Sequence, residues 1–190
     1  MRIIAGAHRG RKLKAVAGMK TRPTSDRVKE AVFSAIEGYI MDSDILDLFG
    51  GTGSIALEAL SRGAKDAVLV EQDRDAIAVI KYNVEQCGYK NQCRMIQKDA
   101  LRALDELAGS KRSFDMIYID PPYMAGLYEA CLERIEKGHL LKNDGIIVLE
   151  SAKNTSISLE DRVFWIEKER FYGDTKITFL KNPRDEEETE

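Results

Sequence analysis

No stretch constrains this chain as tightly as Ile117-Tyr118-Ile119-Asp120-Pro121-Pro122-Tyr123. From Asp115 onward, Met116, Ile117, Tyr118 and Ile119 form an apolar, β-rich run of the length of a buried strand. Neither proline carries a backbone N–H to donate to a sheet ladder, and Pro121 biases Asp120 towards an extended conformation. The segment therefore predicts a buried strand that stops abruptly and delivers a carboxylate to a stiff turn. In an open α/β sheet, ligands bind at the carboxyl ends of the strands.

Such a turn has a specific chemical use. The Asp120 carboxylate and the Pro121 carbonyl are both acceptors and can converge on one planar NH2 group. An exocyclic amino group on a nucleobase is a poor nucleophile because its lone pair is delocalised into the ring. Two hydrogen bonds from its protons would localise that pair and orient it for in-line attack, with Pro122 stiffening the turn. Tyr123 would offer a stacking face, an interaction worth roughly 1–3 kcal/mol per base. A Pro-Pro loop with a surface tyrosine is the alternative, and the buried strand immediately before it favours the functional reading.

Charge is distributed unevenly. The net formal charge is −3, yet Met1–Lys29 holds nine Lys/Arg (Arg2, Arg9, Arg11, Lys12, Lys14, Lys20, Arg22, Arg27, Lys29) against one acid, Asp26. The chain closes on the acidic run Asp185-Glu186-Glu187-Glu188. A basic head on an acidic body predicts a polyanion gripped locally. Arg2-Ile3-Ile4 and Leu13-Lys14-Ala15-Val16 suggest a small hairpin around Gly6-Ala7-His8-Arg9-Gly10-Arg11, and Thr24 or Ser25 can cap a following helix with Val28, Val32, Ile36 and Tyr39 on one face. The expected divisions are a basic extension over 1–24, one domain over 25–182 and a disordered acidic tail over 183–190. With 44% hydrophobic residues in 190, one sizeable core is expected. No apolar run reaches the roughly 20 residues of a membrane span and the N-terminus is too polar for a secretory signal, so a cytoplasmic location is expected. Cys87, Cys93 and Cys131 lack zinc or redox spacing and predict ordinary thiols.

A ligand site is predicted between residues 45 and 99. Ile45-Leu46-Asp47-Leu48-Phe49 predicts a strand, followed by Gly50-Gly51-Thr52-Gly53 and a helix from Ser54. Glycines there allow a tight turn and let a ligand lie against bare backbone at a helix N-terminus. The turn matches neither Gly-x-Gly-x-x-Gly nor a P-loop. The next strand, Ala67-Val68-Leu69-Val70, ends at Glu71, an acid placed to accept from ribose hydroxyls. Asp99 follows the strand Cys93–Gln97 and can cap a helix, accept from an adenine amino group, or both.

In that order these motifs look like the S-adenosylmethionine-dependent methyltransferase fold. Arg2-Ile3-Ile4-Ala5-Gly6, Arg9-Gly10-Arg11, Thr21–Glu30 and Leu57-Glu58-Ala59-Leu60-Ser61-Arg62-Gly63-Ala64 further resemble the RsmD-type enzymes, which methylate the N2 amino group of a guanine in bacterial 16S rRNA. Gly51-Thr52 departs slightly from the usual wording of the turn. The resemblance implies a Rossmann-like α/β fold, a mostly parallel, doubly wound sheet of seven strands with one antiparallel strand. It implies that Gly50, Gly51 and Gly53 approach the methionine part of S-adenosyl-L-methionine, that Glu71 takes its ribose and Asp99 its adenine, and that Asp47 holds the turn or the cofactor's ammonium. Asp120, Pro121, Pro122 and Tyr123 would carry the chemistry and Arg2, Arg9, Arg11, Lys12, Lys14, Arg22 and Arg27 would meet RNA. The partner is then 16S rRNA or an assembling small ribosomal subunit, the product S-adenosyl-L-homocysteine, and the enzyme a monomer that requires no metal.

Towards the C-terminus, Leu127, Ala130, Cys131 and Ile135 mark a core-facing helix, Leu140–Gly145 a turn, and Ile146–Glu150 a strand. Val163–Ile166 and Lys176–Leu180 suggest a hairpin, with Trp165 and Phe171 expected to pack inward rather than stack on bases. Four competing readings remain. N6-adenine methylation of DNA or RNA uses the same turn, while glutamine methylation prefers Asn at its first position. An NAD-dependent oxidoreductase would leave the Pro-Pro turn unexplained, and a non-catalytic RNA-binding module would have no activity to lose with Asp120.

Overall fold

A computed structural model describes residues 1–16, 25–122 and 126–182. The strand–helix alternation predicted around Gly50, Glu71 and Asp99 is present. The elements are α1 (Asp26–Ala35), β1 (Asp44–Asp47), α2 (Ser54–Ser61), β2 (Asp66–Glu71), α3 (Arg74–Gln86), β3 (Cys93–Gln97), α4 (Ala100–Gly109), β4 (Phe114–Ile119), α5 (Leu127–Lys137), β5 (Leu141–Ala152), β6 (Trp165–Tyr172) and β7 (Thr175–Lys181). The strands form one sheet in the order β3-β2-β1-β4-β5-β7-β6. β1 to β5 run parallel and β7 pairs antiparallel with both β5 and β6. The mostly parallel, doubly wound sheet with one antiparallel strand is therefore found as expected.

Residues buried on both faces explain why the parallel strands read as continuous apolar runs. One core layer joins Ile45, Leu69, Tyr118 and Val148 to α1, α2 and α3, and also takes in Ile3 and Leu13 from the N-terminal segment. The other joins Leu46, Val68, Ile117 and Leu149 to α4 and α5. Helix starts follow local chemistry: Ser25, Asp73 and Asp99 each accept from a backbone N–H in the first turn of α1, α3 and α4.

Three expectations change. α1 ends at Ala35, and Ile36 leads into a short 3-10 turn over Glu37–Tyr39 instead of continuing the helix. Leu140–Gly145 is not simply a turn: β5 already begins at Leu141, with a bulge opposite Phe114–Met116. Trp165 and Phe171 do not pack inward; they are 47% and 54% exposed. Their strand, β6, is the sheet edge beyond β7, a position that an amphipathic pattern does not reveal.

The N-terminal segment is bound to the body of the domain. Arg2 and Lys12 form an antiparallel bridge, and Ile3 N donates to Arg11 O, Gly10 N to Ile3 O and Leu13 N to Met1 O, closing the small hairpin expected. Ile4 N and Ala5 N donate to the two carboxylate oxygens of Glu58 at 2.7 and 3.0 Å, and His8 N donates to Ser61 Oγ at 3.0 Å. Glycine is required here: Gly6 has φ +80°, and a Cβ would stand 1.7 Å from the Ser61 carbonyl oxygen. Lys29, wholly buried, donates to Arg2 O at 2.6 Å and Ser54 Oγ at 3.0 Å and faces Glu58 at 3.3 Å. Arg62 donates to the other Glu58 oxygen at 2.8 Å. Burial lowers the Lys29 pKa in spite of the Glu58 charge beside it.

Candidate active site

The carboxyl ends of the central strands carry a row of acids. Asp47 closes β1, Glu71 closes β2, Asp120 follows β4, and Glu150 lies near the end of β5. The registers Asp47↔Tyr118 and Tyr118↔Val148 bring Asp47, Tyr118, Asp120 and Glu150 to one face, because every second residue of a strand points the same way. That face is the one covered by α1, α2 and α3.

The glycine turn is built for close approach. Gly51 and Gly53 have φ of +54° and +78°. Gly50 N donates to Val70 O at 2.8 Å, and a Cβ on Gly50 would meet Ile80 Cδ1 at 3.1 Å. The turn therefore lies directly on β2 and α3. Gly53 caps α2 without a side-chain hydrogen bond, so the helix N-terminus presents backbone donors to an incoming anion. Glu71 is held by Gly51 N at 2.9 Å on one oxygen and Asp73 N at 2.8 Å on the other. Each oxygen keeps a lone pair for a hydroxyl donor. Asn83, on α3, donates to Thr52 O at 2.9 Å and exchanges two hydrogen bonds with the Lys14 backbone. It thereby ties the turn to the basic segment.

Asp47 is 2% exposed, and its Oδ2 has no hydrogen-bond partner. Burial first, then the nearby Glu71, pushes its pKa up to about 7, with the backbone N–H groups of Ala56 and Phe49 acting the other way. Asp120 is part-buried, and its carboxyl is raised well above the usual range by burial, then by Glu150 and Asp47. Tyr118 OH donates to Glu150 Oε2 at 2.5 Å, and Tyr128 OH to Glu150 O at 2.7 Å. Burial followed by the Glu150 charge keeps Tyr118 protonated.

Of the residues singled out in the sequence, Asp47, Gly50, Gly51, Gly53 and Glu71 come together around the turn, and Asp120 and Pro121 stand one strand away. Pro121 is buried and Pro122 exposed. Asp99 caps α4, its Oδ1 accepting from Leu101 N and Arg102 N, and is exposed at the same edge of the sheet. Tyr123 and Arg22 lie outside the described residues, as does the tail. Arg9, Lys12 and Arg27 are exposed; Arg2 pairs with Asp26 at 3.0 Å, Arg11 donates to Gln86 O at 2.7 Å, and Lys14 sits over the Tyr82 ring at 5.1 Å. Sequence reasoning missed Glu150, although an acid ending an apolar run beside a known site strand is a usable signal. It also missed the role of Asn83, which no local pattern announces.

Ligand features in this structure sit where a sheet of this order changes direction, between β1 and β4. A glycine turn after β1, an acid at the tip of β2 and an Asp-Pro turn after β4 define a Rossmann-like class I methyltransferase. The family model described as "Conserved hypothetical protein 95" matches residues 1–181. The ribosomal RNA small subunit methyltransferase D of Haemophilus influenzae is 36% identical over 156 residues, covering 81% of this chain and 80% of its own length. YlbH of Bacillus subtilis is 36% identical over 181 residues, 95% of this chain and 98% of the relative. The solved structure of YhhF from Escherichia coli superposes with a TM-score of 0.83 at 30% identity, covering 97% of this chain and 98% of that one. The chain belongs to this family, the RsmD-type methyltransferases.

Proposed function

We propose that this enzyme transfers a methyl group from S-adenosyl-L-methionine to the exocyclic N2 of a guanine in small-subunit rRNA, in the cytoplasm. The observation that carries the reading is Asp120-Pro121 at the end of β4, one strand from the glycine turn, in a chain whose relatives include a named small-subunit rRNA methyltransferase. The residues present suit the donor. The orphaned, buried Asp47 Oδ2 and the surrounding acids favour a cation, the α2 N-terminus favours a carboxylate, and Glu71 offers acceptors to ribose hydroxyls. Asp99 is assigned to the adenine. When bound, the donor supplies an electrophilic methyl on sulfur.

Asp120 and the Pro121 carbonyl accept from the two N2 protons, hold the amino plane and localise its lone pair. Tyr123 stacks on the base. The guanine must leave its stack to enter, so an unpaired nucleotide is the natural target. Binding of the polyanion falls to Arg9, Arg11, Lys12, Lys14, Arg2, Arg22 and Arg27, and should weaken as salt rises.

The test is methyl transfer from labelled S-adenosyl-L-methionine to small-subunit rRNA and to partly assembled particles, followed by nucleoside analysis. The expected result is label in N2-methylguanosine that disappears with Asp120→Ala. Label in N6-methyladenosine would overturn the guanine assignment, and absence of label from all RNA would overturn the substrate class.

A further inference from the structure

The glycine turn that would meet the methyl donor is held from outside by the small N-terminal hairpin, through two buried side chains. We propose that Asn83 is a positioning residue for the donor and that it sets the turn against the backbone of this hairpin. The hairpin then serves the donor site with its main chain, while Arg9 and Lys12 stay exposed on it. The proposal rests on the methyl-donor reading above and adds what keeps the donor's binding surface in shape.

Asn83 lies on α3 and is 1% exposed. Both ends of its amide are used. Nδ2 donates to Thr52 O at 2.9 Å and to Lys14 O at 3.0 Å, and Oδ1 accepts from Lys14 N at 2.8 Å. These partners fix the orientation of the amide, because two carbonyls require a donor and one N–H requires an acceptor. Lys29 does the same on the other side of the turn: Nζ donates to Ser54 Oγ at 3.0 Å and to Arg2 O at 2.6 Å. Thr52 and Ser54 flank Gly53, the N-cap of α2, so the turn is gripped on both sides of that glycine. Arg2 and Lys14 belong to the two legs of the hairpin, which Ile3 N closes on Arg11 O at 2.9 Å and Leu13 N on Met1 O at 3.2 Å. Each leg holds one shoulder of the turn.

The composition of the turn explains the need. Gly51 and Gly53 take φ of +54° and +78°, and glycine has more conformational freedom to lose than any other residue. Gly50 N and Gly51 N are fixed on Val70 O and Glu71, which sets the first half of the turn. Thr52 stands between the two left-handed glycines. Its carbonyl accepts from Asn83, and the N–H of the same peptide, Gly53 N, donates to Gly50 O at 2.7 Å. That peptide plane is thereby held at both ends, and it leads directly into the α2 N-terminus, where backbone donors suit a carboxylate. Without the Asn83 amide the plane can turn, and the donors that follow it lose their aim.

The test is calorimetric titration of the full-length protein with S-adenosyl-L-homocysteine. Each variant is titrated well below its melting temperature, so that damage to the fold shows in the melting curve and a displaced turn in the affinity. Asn83→Leu should bind about tenfold more weakly than the parent, the scale of one buried hydrogen bond lost. Asn83→Asp has the same shape without the amide donor; it should show a similar loss, and it carries the comparison if the leucine variant does not fold. Lys14→Pro lacks the N–H that Asn83 Oδ1 accepts and should bind more weakly than Lys14→Ala, since both lack the lysine side chain. In methyl transfer, the Asn83 variants should raise KM for S-adenosyl-L-methionine by more than they lower kcat. Folded Asn83 variants with the parent's affinity, or with a lowered kcat at unchanged KM, would overturn the proposal. Equal affinity in the two Lys14 variants would overturn the hairpin's part in it. Failure of the parent itself to bind would instead overturn the methyl-donor reading, and this proposal with it.

Discussion

Two groups of charged side chains lie on the same face of this sheet, and they are buried on opposite terms. Around Glu58, a wholly buried carboxylate receives Lys29, Arg62 and the backbone N–H groups of Ile4 and Ala5, and Lys29 in turn meets Arg2 O and Ser54 Oγ. At the strand ends, the Glu150 and Asp47 charges both push the Asp120 carboxyl up, and one Asp47 oxygen has no partner. The first group answers each buried charge with donors or acceptors and fastens the N-terminal segment to α1 and α2. The second gathers carboxylates and leaves one buried Asp47 oxygen orphaned, an arrangement that opposes folding and suits a cationic ligand. The first group holds the N-terminal segment to the fold; the second stands where the proposed reaction would take place.

The largest effect should come from breaking the paired group. Lys29→Met leaves Glu58 buried with one of its two cations gone and Arg2 O and Ser54 Oγ without their donor, and should cost about 3–5 kcal/mol of stability. Thermal unfolding would show this as a fall of roughly 10 °C, at about 2–4 °C per kcal/mol for a domain of this size. Replacing Glu58 by Leu in the same chain should recover part of the loss, because no uncompensated charge then remains. If Lys29→Met melts like the parent, the group is not what fastens the segment.

The strand-end group should respond in the opposite sense. Asp120→Asn should lower methyl transfer by about 10²–10³-fold, the scale seen when one aligned polar contact to a reacting group is lost. Its melting temperature should stay level or rise, since a repulsive charge has been removed. A variant that loses activity and stability together would break the distinction. A smaller effect sharpens it at the protein surface. Neutralising Arg9, Arg11 and Lys12 together should weaken RNA binding by about tenfold at moderate salt and reduce its salt dependence, with donor affinity unchanged. Equal loss of both affinities would give the segment a structural role alone.

Much of the site was legible in the chain because backbone chemistry announces it. Pro121 and Pro122 must stop a strand, Gly50–Gly53 must turn, and Ser25 and Asp99 cap helices with their own side chains. What stayed hidden depends on partners distant in sequence or on position in the sheet. Glu58 stood out only as part of the Leu57–Ala64 resemblance, and only the folded chain brings Lys29 and the Ile4 and Ala5 amides to it. Glu150 resembles any charged residue ending a strand until the order β4-β5 sets it beside Asp120. Trp165 and Phe171 have core-like composition, and their exposure follows from the edge position of β6.

The most direct test of the central distinction is the stability of the unliganded protein across pH, parent beside Asp47→Asn. The folded Asp47 holds its proton up to about 7 against an ordinary value of 3.8, so the folded state binds more protons than the unfolded chain in that window. Unfolding then releases protons, and this contribution to stability is lost as pH rises through the window. By denaturant titration, Asp47→Asn should gain roughly 4 kcal/mol on the parent between the acidic and the mildly alkaline end, at about 1.4 kcal/mol per pKa unit. A difference between the two proteins that stays constant with pH would contradict the account, because Asp47 would then be buried without strain.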